Sequence, residues 1–334
     1  MPIERVFWSV TPDQSKSPYI REIADAIEAQ GCRVERLSLR ELAKLDNQVV
    51  HIQWPEHVSR GPSVASTAAK HARALALLAV FRIRKHAVVL TAHNRAPHGD
   101  SDAFDAWFRR SIEQSAKALV LLVAEHQAEL ENDNAIGPNA IVQTITHPMA
   151  GPDESLQLLP ESQRTQLVVL GQIHPYHRIE EFVDALAAQG STRPVCVVGS
   201  VGDTELVESL EAKARNLPWL SIQPGFADDA ALNQILTSSA AVVSLQRTAF
   251  NSGGPYFALP RNLPIILSDG AQADQLKAVT SNDWVFAVPE DVHSLSVAEL
   301  DAWLDRERSA PVLDYFAVEG VAAAHIELYE LLKF

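Results

Sequence analysis

The chain has 334 residues, 47% of them apolar, and a formal net charge of −14. That length favours two domains over one, the composition suits packed globular cores, not disorder, and no apolar run approaches the roughly 20 residues of a membrane-spanning helix. The opening "MPIERVFWSV" has no basic start, long apolar core or small-residue cleavage site, so it does not read as a secretion signal.

The charge is unevenly placed. Residues 1–150 hold 17 Lys and Arg against 17 Asp and Glu, whereas residues 151–334 hold 11 against 25. Within the neutral half, residues 57–98 carry Arg60, Lys70, Arg73, Arg82, Arg84, Lys85 and Arg95 with no acid at all. Such a local field attracts phosphates or an anionic membrane surface. Nucleic acid is excluded as a partner, because the rest of the chain is acidic and the basic stretch lacks interleaved aromatics. The two cysteines, Cys32 and Cys196, sit in strand-like runs and read as buried thiols of a reducing cytoplasm.

In chain order, strand-like runs fall at 5–10, 33–37, 49–54, 86–92, 118–123 and 140–145. Helical apolar spacing predicts helices over 18–30, 63–81 and 102–117. Pro18 suits a first helical turn and Gly31 a helix stop. The segment 151–166 is rich in Pro, Gly and polar residues and reads as a linker. Strands then resume at 167–171, 194–199, 220–225, 240–245, 263–268 and 284–288, with helices expected at 177–189, 203–216, 228–238, 295–308 and 317–333. Alternation of this kind predicts an α/β fold with parallel sheets covered on both faces. Two units in tandem make two Rossmann-like domains, 1–150 and 167–310, with ligands in the crevice at the carboxyl ends of the strands. The last stretch, 311–334, is expected to cross back to the first domain.

Residues just after strands are therefore the candidates. "AFNSGGPYFALP" (249–260) places Asn251, Ser252, Gly253 and Gly254 before Pro255 at a helix start. Glycine lets the backbone approach an anion, and a helix start offers free N–H groups, so this loop suits a diphosphate. Gly171 ends another strand. His177 and Arg178 open the following helix and offer positive charge from a second loop. In the first half, Trp54, Glu56, His93, Asn94, His98 and Asp100 follow strands, as does the "SKSPY" loop with Lys16 and Ser17. "DSD" (100–102) resembles a manganese-binding Asp-x-Asp, but Asp102 precedes a helix and suits an N-cap instead. "GSVG" (199–202) is too short for a dinucleotide fingerprint, which excludes a dehydrogenase reading.

Over nearly its whole length the chain resembles a GT-B glycosyltransferase. "VVLGQIHPYHRIEEFVDAL" (168–186) is similar to the family's strand, glycine loop and helix, and "NSGGPYFALPRNLPIILSD" (251–269) to its donor-phosphate loop, helix and strand. "VVLTAHN" (88–94) resembles the strand end whose histidine faces the transferred sugar. "HIQWPE" (51–56) with "HNRAPH" (93–98) is similar to bacterial exopolysaccharide hexosyltransferases, including mannosyltransferases acting on lipid-linked acceptors.

The resemblance implies Gly225 and Phe226 at the nucleotide base, and the loop 251–254 with Gly171, His177 and Arg178 at the diphosphate. Trp54, Asn94, Lys16 and Ser17 are then expected at the acceptor or cleft. Two glutamates usual in the retaining branch are replaced by Ala249 and Phe257, Asn262 stands for a usual glycine, and the usual lysine is absent. An inverting route then needs a base for the acceptor hydroxyl, with His93 ahead of Glu56, His98 and Asp100.

The expectation is a metal-independent enzyme with no cofactor. It transfers a hexose, with GDP-mannose as first choice of donor, to a glycan or lipid-linked glycan. It is placed in the cytoplasm, with its basic half against the inner membrane. A nucleotide-sugar epimerase and a non-catalytic nucleotide-sugar binder are the alternatives.

Overall fold

The computed structural model describes residues 2–14, 17–59, 64–94, 102–149, 156–225, 228–246 and 250–332. The chain divides into two compact units, Met1–Pro148 with Phe316–Phe334, and Met149–Tyr315. Each is an all-parallel sheet of six strands with flanking helices.

The first unit holds β1 (Arg5–Trp8), β2 (Arg33–Arg36), β3 (Val49–Ile52), β4 (Ala87–Ala92), β5 (Ala118–Leu121) and β6 (Ile141–Thr144), in the order β2-β1-β3-β4-β5-β6. The second holds β7 (Gln166–Leu170), β8 (Val195–Gly199), β9 (Leu220–Pro224), β10 (Ser239–Ser244), β11 (Ile265–Ser268) and β12 (Val285–Val288), in the order β12-β11-β10-β7-β8-β9. Every apolar run read as a strand forms one. Residues of β3, β4, β5 and β10 are buried along their whole length. Helices cover both faces of a parallel sheet, so its inner strands are continuously apolar instead of alternating.

Helix ends follow local chemistry. Asp102, Asp203, Asp228 and Ser296 each accept a backbone N–H of the first turn. Gly31 (φ 91°) closes the helix Pro18–Ala29 in a conformation few other residues tolerate. The helix Ala271–Thr280 has no counterpart in the sequence reading. Its buried face includes Gln272 and Gln275, which break the apolar period. The short helices Pro55–Ser59 and His126–Asn132 were likewise not expected.

The described part of the supposed linker is seated in the second unit. Leu159 N–H donates to the Thr237 carbonyl at 3.0 Å, and Arg164 pairs with Glu161 at 3.1 Å. The last helix, Val318–Leu331, belongs to the first unit and packs on Pro18–Ala29. Its fully buried Tyr329 meets His51 Nδ1 at 2.7 Å, and His51 Nε2 meets Thr91 Oγ1 at 2.7 Å, tying the chain end to β3 and β4. Cys32 and Cys196 are buried free thiols; burial pushes Cys32 up to about 11 and raises Cys196.

Candidate functional site

In the second unit the strand order reverses between β7 and β10, the place where open parallel sheets bind ligands. There the carboxyl ends of β7, β8 and β10, with Gly225, Gly253, Gly254 and Phe257, enclose a cavity of about 370 Å³. Gly171 (φ 121°) and Gly225 (φ 127°) turn the chain away at the rim in a conformation closed to bulkier residues. Gly199 is required for a different reason: a Cβ there would stand 1.4 Å from the Gly171 carbonyl oxygen.

The loop 251–254 is built from within. Ser252 is buried and shares a 2.7 Å hydrogen bond with Ser244 Oγ. Its N–H donates to Gln272 Oε1 at 2.9 Å, and Gln272 Nε2 donates to the Ser252 carbonyl (2.8 Å) and to Asn251 Oδ1 (3.1 Å). These two side chains therefore shape the loop, and the exposed Gly253 is its outermost part. A Cβ on Gly254 would stand 2.7 Å from Ser244 Cβ, so glycine is what lets the loop close onto the end of β10. The helix after the loop, Gly254–Ala258, is only five residues. Its dipole is correspondingly small, and the cradle rests on backbone geometry more than on a full helix.

Arg178 departs from the expected role. It adopts φ 55° and is buried, with Nε and Nη2 donating to Glu181 Oε2 at 3.0 and 2.7 Å and Nη2 also reaching the Glu290 carbonyl at 2.6 Å. A guanidinium so occupied anchors the helix Ile179–Ala188. It does not line the cavity. His177 Nδ1 faces the Leu245 carbonyl at 3.3 Å, at the end of β10, and is also outside the cavity lining. Phe226 lies outside the described residues, as do Lys16, His98 and Asp100.

In the first unit His93 directly follows β4. It is buried, stacked on Trp54 (centroids 4.2 Å, 19°) and edge-on to Tyr19 (4.9 Å). Its Nε2 lies 2.9 Å from Gln53 Oε1, which fixes the proton on Nε2 and leaves Nδ1 as the lone-pair nitrogen. Burial, then His147 and the neighbouring imidazoles, hold its pKa well below the usual histidine value. It is neutral at physiological pH. A small cavity of about 20 Å³, room for about one water, lies among Gln53, Trp54, Glu56, His93, Asn94 and the ion pair Arg109–Glu113 (2.9 Å). The structure thus brings His93, Trp54, Glu56 and Asn94 together, with the Asn94 carbonyl held by Arg109. Ser17 caps Pro18–Ala29 by position, without a side-chain hydrogen bond to that helix.

Asp102 serves as the expected N-cap, accepting from Asp105 N–H at 2.8 Å. Its other oxygen faces His71 at 3.7 Å, and with Asp105 these groups bring ligand atoms within 4.8 Å of one another. Asp105 accepts from Ser59 Oγ at 2.6 Å, so the group reads as a polar staple between helices.

Gln53, Tyr19, Ser244, Gly199 and Gln272 were not among the expected site residues, although "HIQWPE", "SKSPY" and "GSVG" contain the first, second and fourth of them. Gln53, Ser244 and Gly199 stand at strand ends and were open to the same positional argument. Tyr19 and Gln272 reach their partners only through tertiary packing.

The two α/β units, each built on an all-parallel sheet, match the GT-B fold of solved glycosyltransferases. No family model matches the chain. The chain is similar to GDP-mannose:glycolipid 4-beta-D-mannosyltransferase of Xanthomonas campestris pv. campestris, at 25% identity over 316 residues, covering 92% of this chain and 84% of the relative. Among solved structures it resembles Anabaena HepE in complex with UDP (TM-score 0.68, 12% identity, 98% and 100% of the two chains). It also resembles sucrose-phosphate synthase from Thermosynechococcus elongatus (TM-score 0.63, 14% identity, 98% of each chain).

Proposed function

We propose that this chain transfers mannose from GDP-mannose to a sugar hydroxyl of a lipid-linked glycan, with inversion at the anomeric carbon. The observation that carries this is the similarity to the mannosyltransferase relatives, which runs through both units. A β product from an α-linked nucleotide sugar requires inversion. That agrees with Phe257 standing where the retaining branch usually has a glutamate.

The second unit holds the nucleotide diphosphate in the glycine-rimmed cavity, with the exposed backbone of Gly253 at the tip of the 251–254 loop on the leaving group, the N–H groups of Ser252 and Gly254 being taken up inside the loop. The acceptor hydroxyl oxygen attacks the anomeric carbon. The bond from that carbon to the diphosphate breaks, and GDP leaves with the electron pair. The hydroxyl proton passes to His93 Nδ1, the nitrogen left basic by Gln53. Trp54 and Asn94 border the small cavity at His93, which has room for the acceptor hydroxyl and not for the sugar, and Glu56 lines the same cavity. The reaction needs no metal in this reading. It runs on the cytoplasmic face of the membrane, where the lipid acceptor is presented.

The test is transfer of radiolabelled mannose from GDP-mannose to extracted glycolipid. His93→Ala should lower kcat by about 100-fold or more while the thermal shift given by GDP stays that of the parent. Retained activity in His93→Ala overturns the base assignment. Label released as a free epimer, or nucleotide binding without product, overturns the transferase reading itself.

A further inference from the structure

The described residues of the first unit include a surface that the transfer chemistry does not use. The helices Val64–Ile83 and Ala103–Ser115 flank an open groove of about 690 Å³ above the start of β4. Leu75 and Trp107 line it, each 48% exposed, and Ile83 on the same helix as Leu75 is 74% exposed. Trp107 is the one large exposed tryptophan among the described residues. Arg82, Lys85 and Lys117 line the same groove, and none has a carboxylate partner among the described residues; neighbouring Arg84 is the one paired, with Asp46 at 3.3 Å. The helix Val64–Ile83 contains no acid. The acids of the facing helix, Asp105 and Glu113, are buried and committed to Ser59 and Arg109.

We infer that this groove is a docking surface for an anionic phospholipid bilayer. The chain as a whole carries −14 and is repelled by such a surface. Charges act across roughly one Debye length, about 8 Å at physiological salt, so the face that touches decides the contact. Here that face offers unpaired cations beside an amphipathic ring and two aliphatic side chains, which suits a headgroup layer. The contact is peripheral, since no described helix is long and apolar enough to cross a membrane. The groove lies at the amino end of β4 and His93 at its carboxyl end, so the contact tethers the first unit to the membrane surface without lining the acceptor site, and that purpose rests on the proposed transferase reading. The existence of the contact does not.

The experiment is sedimentation of the full chain with vesicles of phosphatidylcholine alone and of equimolar phosphatidylcholine and phosphatidylglycerol. Binding is expected only to the anionic vesicles, to weaken with salt, and to fall roughly fivefold for each cation removed in Arg82→Gln, Lys85→Gln and Lys117→Gln. Trp107→Ser should also weaken it, and the blue shift of tryptophan emission on vesicle addition should disappear in Trp107→Phe. The thermal shift with GDP, unchanged in every variant, shows that each remains folded. No binding by the parent chain, or equal binding by the variants, overturns the assignment. So does a concentration-dependent dimer abolished by Trp107→Ser, which would give the groove to a second copy. GDP-mannose turnover without vesicle binding removes this surface and leaves the transferase, whereas vesicle binding without nucleotide binding does the converse.

Discussion

Three hydrogen bonds from Gln272 hold Asn251 and Ser252 in place, at 2.9, 2.8 and 3.1 Å, and all originate on a helix 20 residues away in sequence. Leucine at this position keeps the volume and removes every bond, leaving a buried N–H and carbonyl unpaired. Such orphaned groups cost about 1–3 kcal/mol each. Gln272→Leu should therefore weaken GDP binding by about tenfold or more in calorimetry, while the first unit keeps its stability. Gly254 makes the complementary case. Gly254→Ala pushes a methyl against Ser244 Cβ at 2.7 Å. Overpacking of this kind costs about 1–3 kcal/mol. The second unit of Gly254→Ala should melt earlier, and Ser244→Gly in the same chain should restore part of the loss.

At the scale of elements, the last helix is what closes the first unit. Tyr329 and Leu328 are fully buried with Ile20, Ile23 and Ile27 of the helix Pro18–Ala29. Tyr329→Phe keeps that packing and strips the partner from His51 Nδ1. The expected loss is about 1–3 kcal/mol of stability, visible in denaturant melts followed by hydrogen exchange of β3. The same helix carries His325, which is fully buried; its Nδ1 donates to the Val321 carbonyl at 2.9 Å and its Nε2 has no partner among the described residues.

For the molecule as a whole, buried histidines set an acid limit. Burial lowers His325 to about 4, and His51 well below its ordinary 6.5. A histidine depressed in the folded state binds its proton mainly when unfolded. Its stabilising effect is thus full above the unfolded value and is lost as pH falls from about 6.5 toward 4. Each such group contributes a slope of about 1.4 kcal/mol per pH unit within that window. Thermal melts should fall steeply between about pH 6 and pH 4. His325→Leu should flatten the slope, and hydrogen exchange should place the early opening in the first unit. The donor cavity gives the other whole-molecule expectation: GDP should raise the melting temperature with and without chelator. UDP, ADP and dTDP should give smaller shifts.

Twelve strands and most long helices were legible because parallel strands, buried on both faces, announce themselves as short apolar runs, and helix starts by their Asp and Ser caps. The helix Ala271–Thr280 was not legible, since glutamines occupy its buried face and satisfy the donor loop instead of the core. Nor was the burial of Arg178, whose partners Glu181 and the Glu290 carbonyl come from one turn of helix and from a distant loop.

By itself the sequence determined the α/β alternation, the strand ends that had to carry chemistry, and the glycines at 171, 225 and 254. These follow from local period and from backbone angles or close approaches that only glycine accepts. Tertiary structure alone decided which of those residues reach a cavity and which brace it, why His93 is neutral, and which cations are brought to one groove. Hydrogen-bond partners, desolvation and surface charge depend on what other parts of the chain are brought alongside, and no local pattern records that.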